Sequence, residues 1–135
     1  MLINKIYTDG YERIIVLEGT DTDEKLIAHF LEYDEYLENN MASVKKKSGD
    51  IIKCDISIDL VTFNKLTDME IMHKQPIENS SHIKAVVKVS QIIDDYSIYA
   101  LSSIINDKIL IEFESAVDYK VDDKILIEGS LELHF

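Results

Sequence analysis

The last thirty residues, Asn106–Phe135, constrain the fold most. Lys108–Phe113 and Lys124–Leu133 each read as an alternating strand, and a Lys-Val-Asp-Asp turn at 120–123 lies between them. In the second, Ile125, Ile127, Leu131 and Leu133 share one face with Gly129. A period of two sends successive side chains to opposite faces of a sheet, so each strand has one buried and one wet face. Glycine on the inward face of a long strand marks a sharp bend of the kind found at a barrel corner.

The same alternation recurs upstream. Asp9-Gly10 predicts a tight hairpin turn between strands at Leu2–Thr8 and Tyr11–Leu17. A turn at 19–23 leads into a strand at Lys25–Leu31, which completes an antiparallel meander. Asp50–Leu60 alternates strictly, with Ile52, Cys54, Ile56, Ile58 and Leu60 on one face. From His82 the strands resume, with turns at Asp94-Asp95 and Asn106-Asp107. The 10 isoleucines within residues 81–135 favour strands over helices. With only 4 Gly and 1 Pro in the chain, Asp and Asn must form most turns.

One segment changes period. Tyr33, Tyr36, Leu37, Met41 and Val44 fall at helical spacing, with acidic residues early and Lys45–Lys47 late, which complements a helix dipole. This predicts one short helix near 34–46, stopped by Ser48-Gly49. Residues 61–80 are irregular, with one helical turn expected around Asp68–His73.

Two stretches align without gaps: Glu24–Phe30 on Asp107–Phe113, and Ser48–Leu60 on Val121–Leu133. The alignment predicts two tandem related halves, 1–62 and 81–135, joined by a connector at 63–80, as separate units or one fused domain. The order strand–turn–strand–turn–strand–helix–strand resembles that of an OB-fold barrel. The closing GDIIKCDISIDL and DDKILIEGSLEL stretches are similar to late strands of such barrels. The resemblance implies a mainly β, antiparallel small barrel, or two. An SH3-like barrel or an open sandwich fits the same pattern.

Charge narrows the function. The net charge is −12, and residues 1–60 and 61–135 each carry 7 basic and 13 acidic groups. A field of this sign repels phosphate backbones and anionic lipid and attracts basic partners, so nucleic acid is disfavoured. The lone cysteine excludes an intramolecular disulfide framework. Lys5, Asp9, Glu12 and Arg13 break up the N-terminal apolar run, so neither a signal peptide nor a membrane span is expected there. A cytoplasmic protein is expected.

No residue pattern points to catalysis, a metal or a cofactor. His29, His73, His82 and His134 do not stand at ligand spacing. Cys54 lies on the apolar stripe of its strand and reads as a small hydrophobe. Asp21, Asp23 and Glu24 superficially suggest a calcium loop, but Leu26 stands where that loop needs glycine. The segment Glu32, Tyr33, Asp34, Glu35, Tyr36 and Glu38 sets two aromatics among four carboxylates. Aromatics anchor interfaces and charge speeds association, so this is the candidate contact with a basic protein. The alternative is that its tyrosines pack a helix onto the core. The expected function is a non-enzymatic interaction module, with an immunity- or inhibitor-type protein as one specific form. An OB-type binder of oligonucleotide or oligosaccharide is the alternative by fold analogy.

Overall fold

The computed structural model describes residues 1–19 and 24–135, and these form nine strands. In chain order they are β1 (Leu2–Asp9), β2 (Glu12–Glu18), β3 (Lys25–Leu31), β4 (Asp55–Leu66), β5 (Met72–Lys74), β6 (His82–Asp94), β7 (Ser97–Leu101), β8 (Lys108–Phe113) and β9 (Lys124–His134). Along the sheet the order is β1-β2-β3-β9-β4-β8-β7-β6-β5, and a further β9–β6 pairing closes a ring. The result is a small closed barrel of five strands, β4, β6, β7, β8 and β9, consistent with an OB-like barrel.

The sheet is mixed, which corrects the expectation of a purely antiparallel barrel. β6–β7, β7–β8, β6–β9 and β4–β9 are antiparallel, whereas β4–β8 is parallel. The reason is parity. Strand direction cannot alternate all the way round a closed ring with an odd number of strands, so one pair must run parallel.

β9 joins the barrel to the rest of the chain. On one edge, Ile125–His134 pairs with β4; on the other, Lys124–Ser130 pairs with β6. Beyond Ser130 the β6 edge ends, and β3 takes its place in a parallel contact at His29↔Glu132. β1, β2 and β3 form the antiparallel meander expected at the N-terminus. Its first turn falls one residue later than expected, at Gly10-Tyr11, because Asp9 pairs with Glu12; Gly10 has φ 64°, the sign that the first central residue of a type II′ turn requires.

Gly129 sharpens the expected bend into a close approach. A Cβ there would lie 2.6 Å from the Asp59 carbonyl oxygen. Opposite it, the register of β4 slips between Asp59 and Phe63, and Leu60 turns to φ 55°. The backbone of β4 bulges into the space that the missing side chain leaves.

The apolar faces meet in one core. Ile58, Ile83, Ile111, Ile125 and Ile127 fill the barrel, and Ile15, Leu17 and Ala28 line the meander. Each such isoleucine contributes about 1.5–3 kcal/mol by leaving water.

Other expectations are corrected. Residues 34–46 contain no helix; they form a loop with its own polar anchors. The expected strand from Asp50 starts instead at Asp55 and runs to Leu66, into the expected connector. Residues 50–52 pair with the start of β1, where Ile3 N–H donates to the Asp50 carbonyl and Ile52 N–H to that of Met1. No helical turn forms at 68–73; β5 begins at Met72. The aligned segments occupy different places: Asp107–Phe113 covers a barrel strand, β8, while Glu24–Phe30 covers β3 in the meander. Among the described residues no helix is long and apolar enough to cross a membrane.

Candidate functional site

The loop between β3 and β4 is built around Arg13. This residue has the inward phase of Ile15 and Leu17 and is 1% exposed. Its guanidinium donates to the Gly10 and Glu12 carbonyls at 2.8 and 2.9 Å and to the Glu35 carbonyl at 2.5 Å. It also pairs with the Glu35 carboxylate at 3.4 Å. That carboxylate accepts the Ser43 hydroxyl and the Val44 N–H at 2.5 and 2.9 Å. The Ser43 bond, followed by the Val44 and Arg13 bonds, lowers the Glu35 pKa below the usual carboxylate value against the opposing effect of burial.

The rest of the loop backbone is tied to the β1–β2 hairpin. Gly10 and Leu37 exchange N–H···O bonds at 2.7 and 3.0 Å, and Asn40 N–H donates to the Thr8 carbonyl at 2.8 Å. The Thr8 hydroxyl donates to the Met41 carbonyl at 2.6 Å. These bonds replace the ladder a helix would have made, which is why helical spacing fails here. Lys45 and Lys46 pair with Asp34 and Glu32 at 3.6 and 2.7 Å, so the basic run holds the chain's own acidic loop.

Of the six candidate contact residues, two face inward. Glu35 is held by Arg13, and Glu32 pairs with Lys46 with its side chain 15% exposed. Tyr33, Asp34, Tyr36 and Glu38 face solvent. Tyr33 and Tyr36 are 73% and 67% exposed, and both pack on Tyr11 of the hairpin turn, with ring centroids 6.4 and 5.2 Å apart. Neither tyrosine packs a helix onto the core.

Beside this loop, at the ends of β3 and β9, a cleft of about 520 Å³ is lined by Phe30, Tyr33, Lys46, Asp59, Glu132 and Phe135, among others. His29 and His134 reach it as well. His29 bonds Glu132 at 2.7 Å and lies 3.5 Å from Glu12. The Glu132 bond, against partial burial and helped by the charges of Glu132 and Glu12, raises its pKa above the ordinary histidine value.

Ser57, His134 and Asp59 stand together, but not as a proton relay. The Ser57 hydroxyl donates to Asp59 at 2.6 Å and lies 2.7 Å from His134 Nε2. A hydroxyl has one hydrogen, so Nε2 must be the donor to Ser57 and has no lone pair free to take its proton. A catalytic base requires the reverse, with the carboxylate on Nδ1. Ser57 is also 1% exposed.

Cys54 is half-buried, and burial pushes its thiol pKa up, away from nucleophilic use. Among the described residues no three His, Cys, Asp or Glu side chains converge on a metal position. Asp21 and Asp23 of the calcium-like cluster lie outside the described residues.

A second groove, of about 570 Å³, lies on the outer face of β4, β8 and β7, lined by Ser57, Tyr99, Lys108, Leu110 and Glu112 with Cys54 at its edge. Lys108 Nζ sits 4.6 Å from the Tyr99 ring centroid.

Sequence reasoning did not single out Arg13, Tyr11, Phe135, Asp59 or Glu132. Arg13 left a signal, a charge on the inward phase of an apolar strand. The others come together only through the β3–β9 contact and the loop's return to the hairpin. Compared with known protein families, curated proteins and solved structures, the chain matches none of them.

Proposed function

We propose that this protein is a non-enzymatic interaction module whose acidic surface engages a basic protein through the loop after β3. The observation that carries the reading is the loop itself. Residues 32–54 contain no strand, and strandless loops longer than about 12–15 residues are commonly functional. This one is anchored from within by Arg13, Glu35 and Ser43 while it holds Tyr33, Asp34, Tyr36 and Glu38 outward. Tyrosine supplies contact area at low entropy cost, and pre-organisation lowers the cost of binding. The net charge of −12 favours a cationic partner and speeds its approach. An immunity- or inhibitor-type protein that masks a cationic target is the specific form we favour, in a cytoplasmic setting. The tandem relation proposed between residues 1–62 and 81–135 is one of sequence and rests on the aligned segments alone, since Glu24–Phe30 and Asp107–Phe113 occupy different places in the fold.

The test is affinity capture with the intact chain and with Tyr33→Ala/Tyr36→Ala and Asp34→Lys variants. Recovery of one basic protein, reduced at least about tenfold by either change, corresponds to a loss of about 1.4 kcal/mol. Undiminished recovery by both variants would sink the reading. Glu35 is unsuitable for this purpose because its replacement would undo the loop.

The second reading is a barrel that binds an extended ligand on the groove over β7 and β8. Counted from β6, these are the second and third strands of the barrel's meander, the face OB-fold barrels use. Asp55, Asp107 and Glu112 outnumber Lys108 there, which favours oligosaccharide over oligonucleotide. Binding of single-stranded DNA that weakens with salt would contradict that preference.

A further inference from the structure

The exposed tyrosines run from the hairpin turn into the cleft at the ends of β3 and β9. Tyr33 belongs to both, packing on Tyr11 and lining the cleft wall. The cleft already seats one cation: Lys46 Nζ lies 4.2 Å from the Phe135 ring centroid and 5.2 Å from that of Phe30, and pairs with Glu32 at 2.7 Å. Cation–π attraction grows as the cation is desolvated, which a cleft wall promotes.

Two further carboxylates in the cleft lack such a partner. Glu132 and Asp59 have side chains 14% and 22% exposed, and among the described residues their ion pairs are with His29 and His134 alone. An imidazole offsets a carboxylate's charge only while it is protonated, whereas an arginine does so at any ordinary pH. The register sets Ser57 opposite Glu132 and Asp59 opposite Ser130. The two carboxylates are therefore diagonal neighbours on one face, roughly 7–8 Å apart by ordinary sheet spacing.

We propose that the tyrosine row and this cleft form one docking surface for a positively charged segment of the partner protein, with an arginine side chain entering the cleft between Tyr33 and the Asp59–Glu132 pair. The proposal rests on the reading that the partner is a basic protein. Arginine fits better than lysine because its planar fork can bond two carboxylates and stack on a ring. Protons compete with it. His29, faced by Glu132 of β9 and Glu12 of β2, takes up a proton on acidification and then offsets the Glu132 charge itself, while His134 stands against Ser57 and Asp59 of β4. Lys46 and Glu32 of the loop, which also face the cleft, pair with each other. Occupancy of the cleft therefore falls as the solution becomes mildly acidic.

The probe is N-acetyl-arginine amide, titrated into the intact chain at neutral pH and followed by the NMR signals of His29 and His134. Its citrulline counterpart serves as a neutral isostere. Saturable shifts are expected with arginine, at least about tenfold weaker with citrulline or in Asp59→Asn/Glu132→Gln, and weaker at mildly acidic pH. No response, an equal response to citrulline, or an undiminished response in the double variant would overturn the proposal. The citrulline comparison uses the unaltered chain, so it does not depend on how the variant folds. The small probe reads the cleft alone and the captured protein reads the loop, so either idea can fail without the other.

Discussion

The barrel and the meander with its loop are held together by different means. In the barrel, every strand has two hydrogen-bonded neighbours, and the interior consists of aliphatic side chains with Phe113. In the meander, β1 is an edge strand, and at its turn end the interior is closed by a buried arginine, a carboxylate and backbone carbonyls. Aliphatic packing tolerates no gap but is indifferent to direction, whereas a charged clasp requires every partner in place. The first suits a scaffold. The second fixes an irregular loop that a regular element would have hidden.

This contrast can be broken from either side. The largest effect is expected in the barrel: Ile127→Ala should lower global stability by about 4 kcal/mol, seen as a shift in the denaturant midpoint with barrel and meander unfolding together. A meander that melts alone would show the two regions to be less coupled than their shared core implies. Arg13→Met should cost about 3 kcal/mol by stranding Glu35 and three carbonyls. Here hydrogen exchange should quicken at Gly10, Leu37 and Val44 while barrel amides stay protected.

Gly129→Ala should cost about 2 kcal/mol, because its Cβ would push against the backbone of Asp59. The displaced Leu60 bulge would shift the amide signals of residues 59–62; unchanged signals would mean that β4 does not press on Gly129. The smallest effect is pH-dependent. His29 has a raised folded-state pKa, so its contribution is complete below about pH 6.5 and fades as pH rises through the folded value. Its partial exposure keeps this below about 1 kcal/mol. His29→Gln should flatten that stretch of the stability profile, whereas Glu35, with a lowered pKa, loses its contribution only on acidification through its folded value.

The strands of the barrel were readable because alternation is a local property. Lys108–Phe113 was recognised with its observed ends and Lys124–Leu133 to within one residue. The strand expected at 50–60 is displaced because Ile52 and Cys54 do alternate, yet the backbone of residues 50–52 pairs with the start of β1 instead of extending β4. No helix forms at 34–46 because helical spacing says nothing about which groups take the backbone hydrogen bonds. Thr8, Gly10 and Arg13 took them first. Of the candidate contact residues, Tyr33 and Tyr36 were visible as aromatics among acids, but Glu35 could be assigned its internal role only once Ser43 and Arg13 were seen beside it.

By itself the sequence determined the strands of the N-terminal meander and of the last thirty residues, and which side of each is apolar, since both follow from a period of two read along neighbouring residues. It also determined the sign of the surface field. The tertiary structure alone decided that five strands close a ring with one parallel pair, and that β9 exchanges β6 for β3 halfway along its edge. It likewise decided that Tyr11 meets Tyr33 and Tyr36. These features depend on contacts between residues far apart in the chain, and no local pattern records which distant partner will arrive.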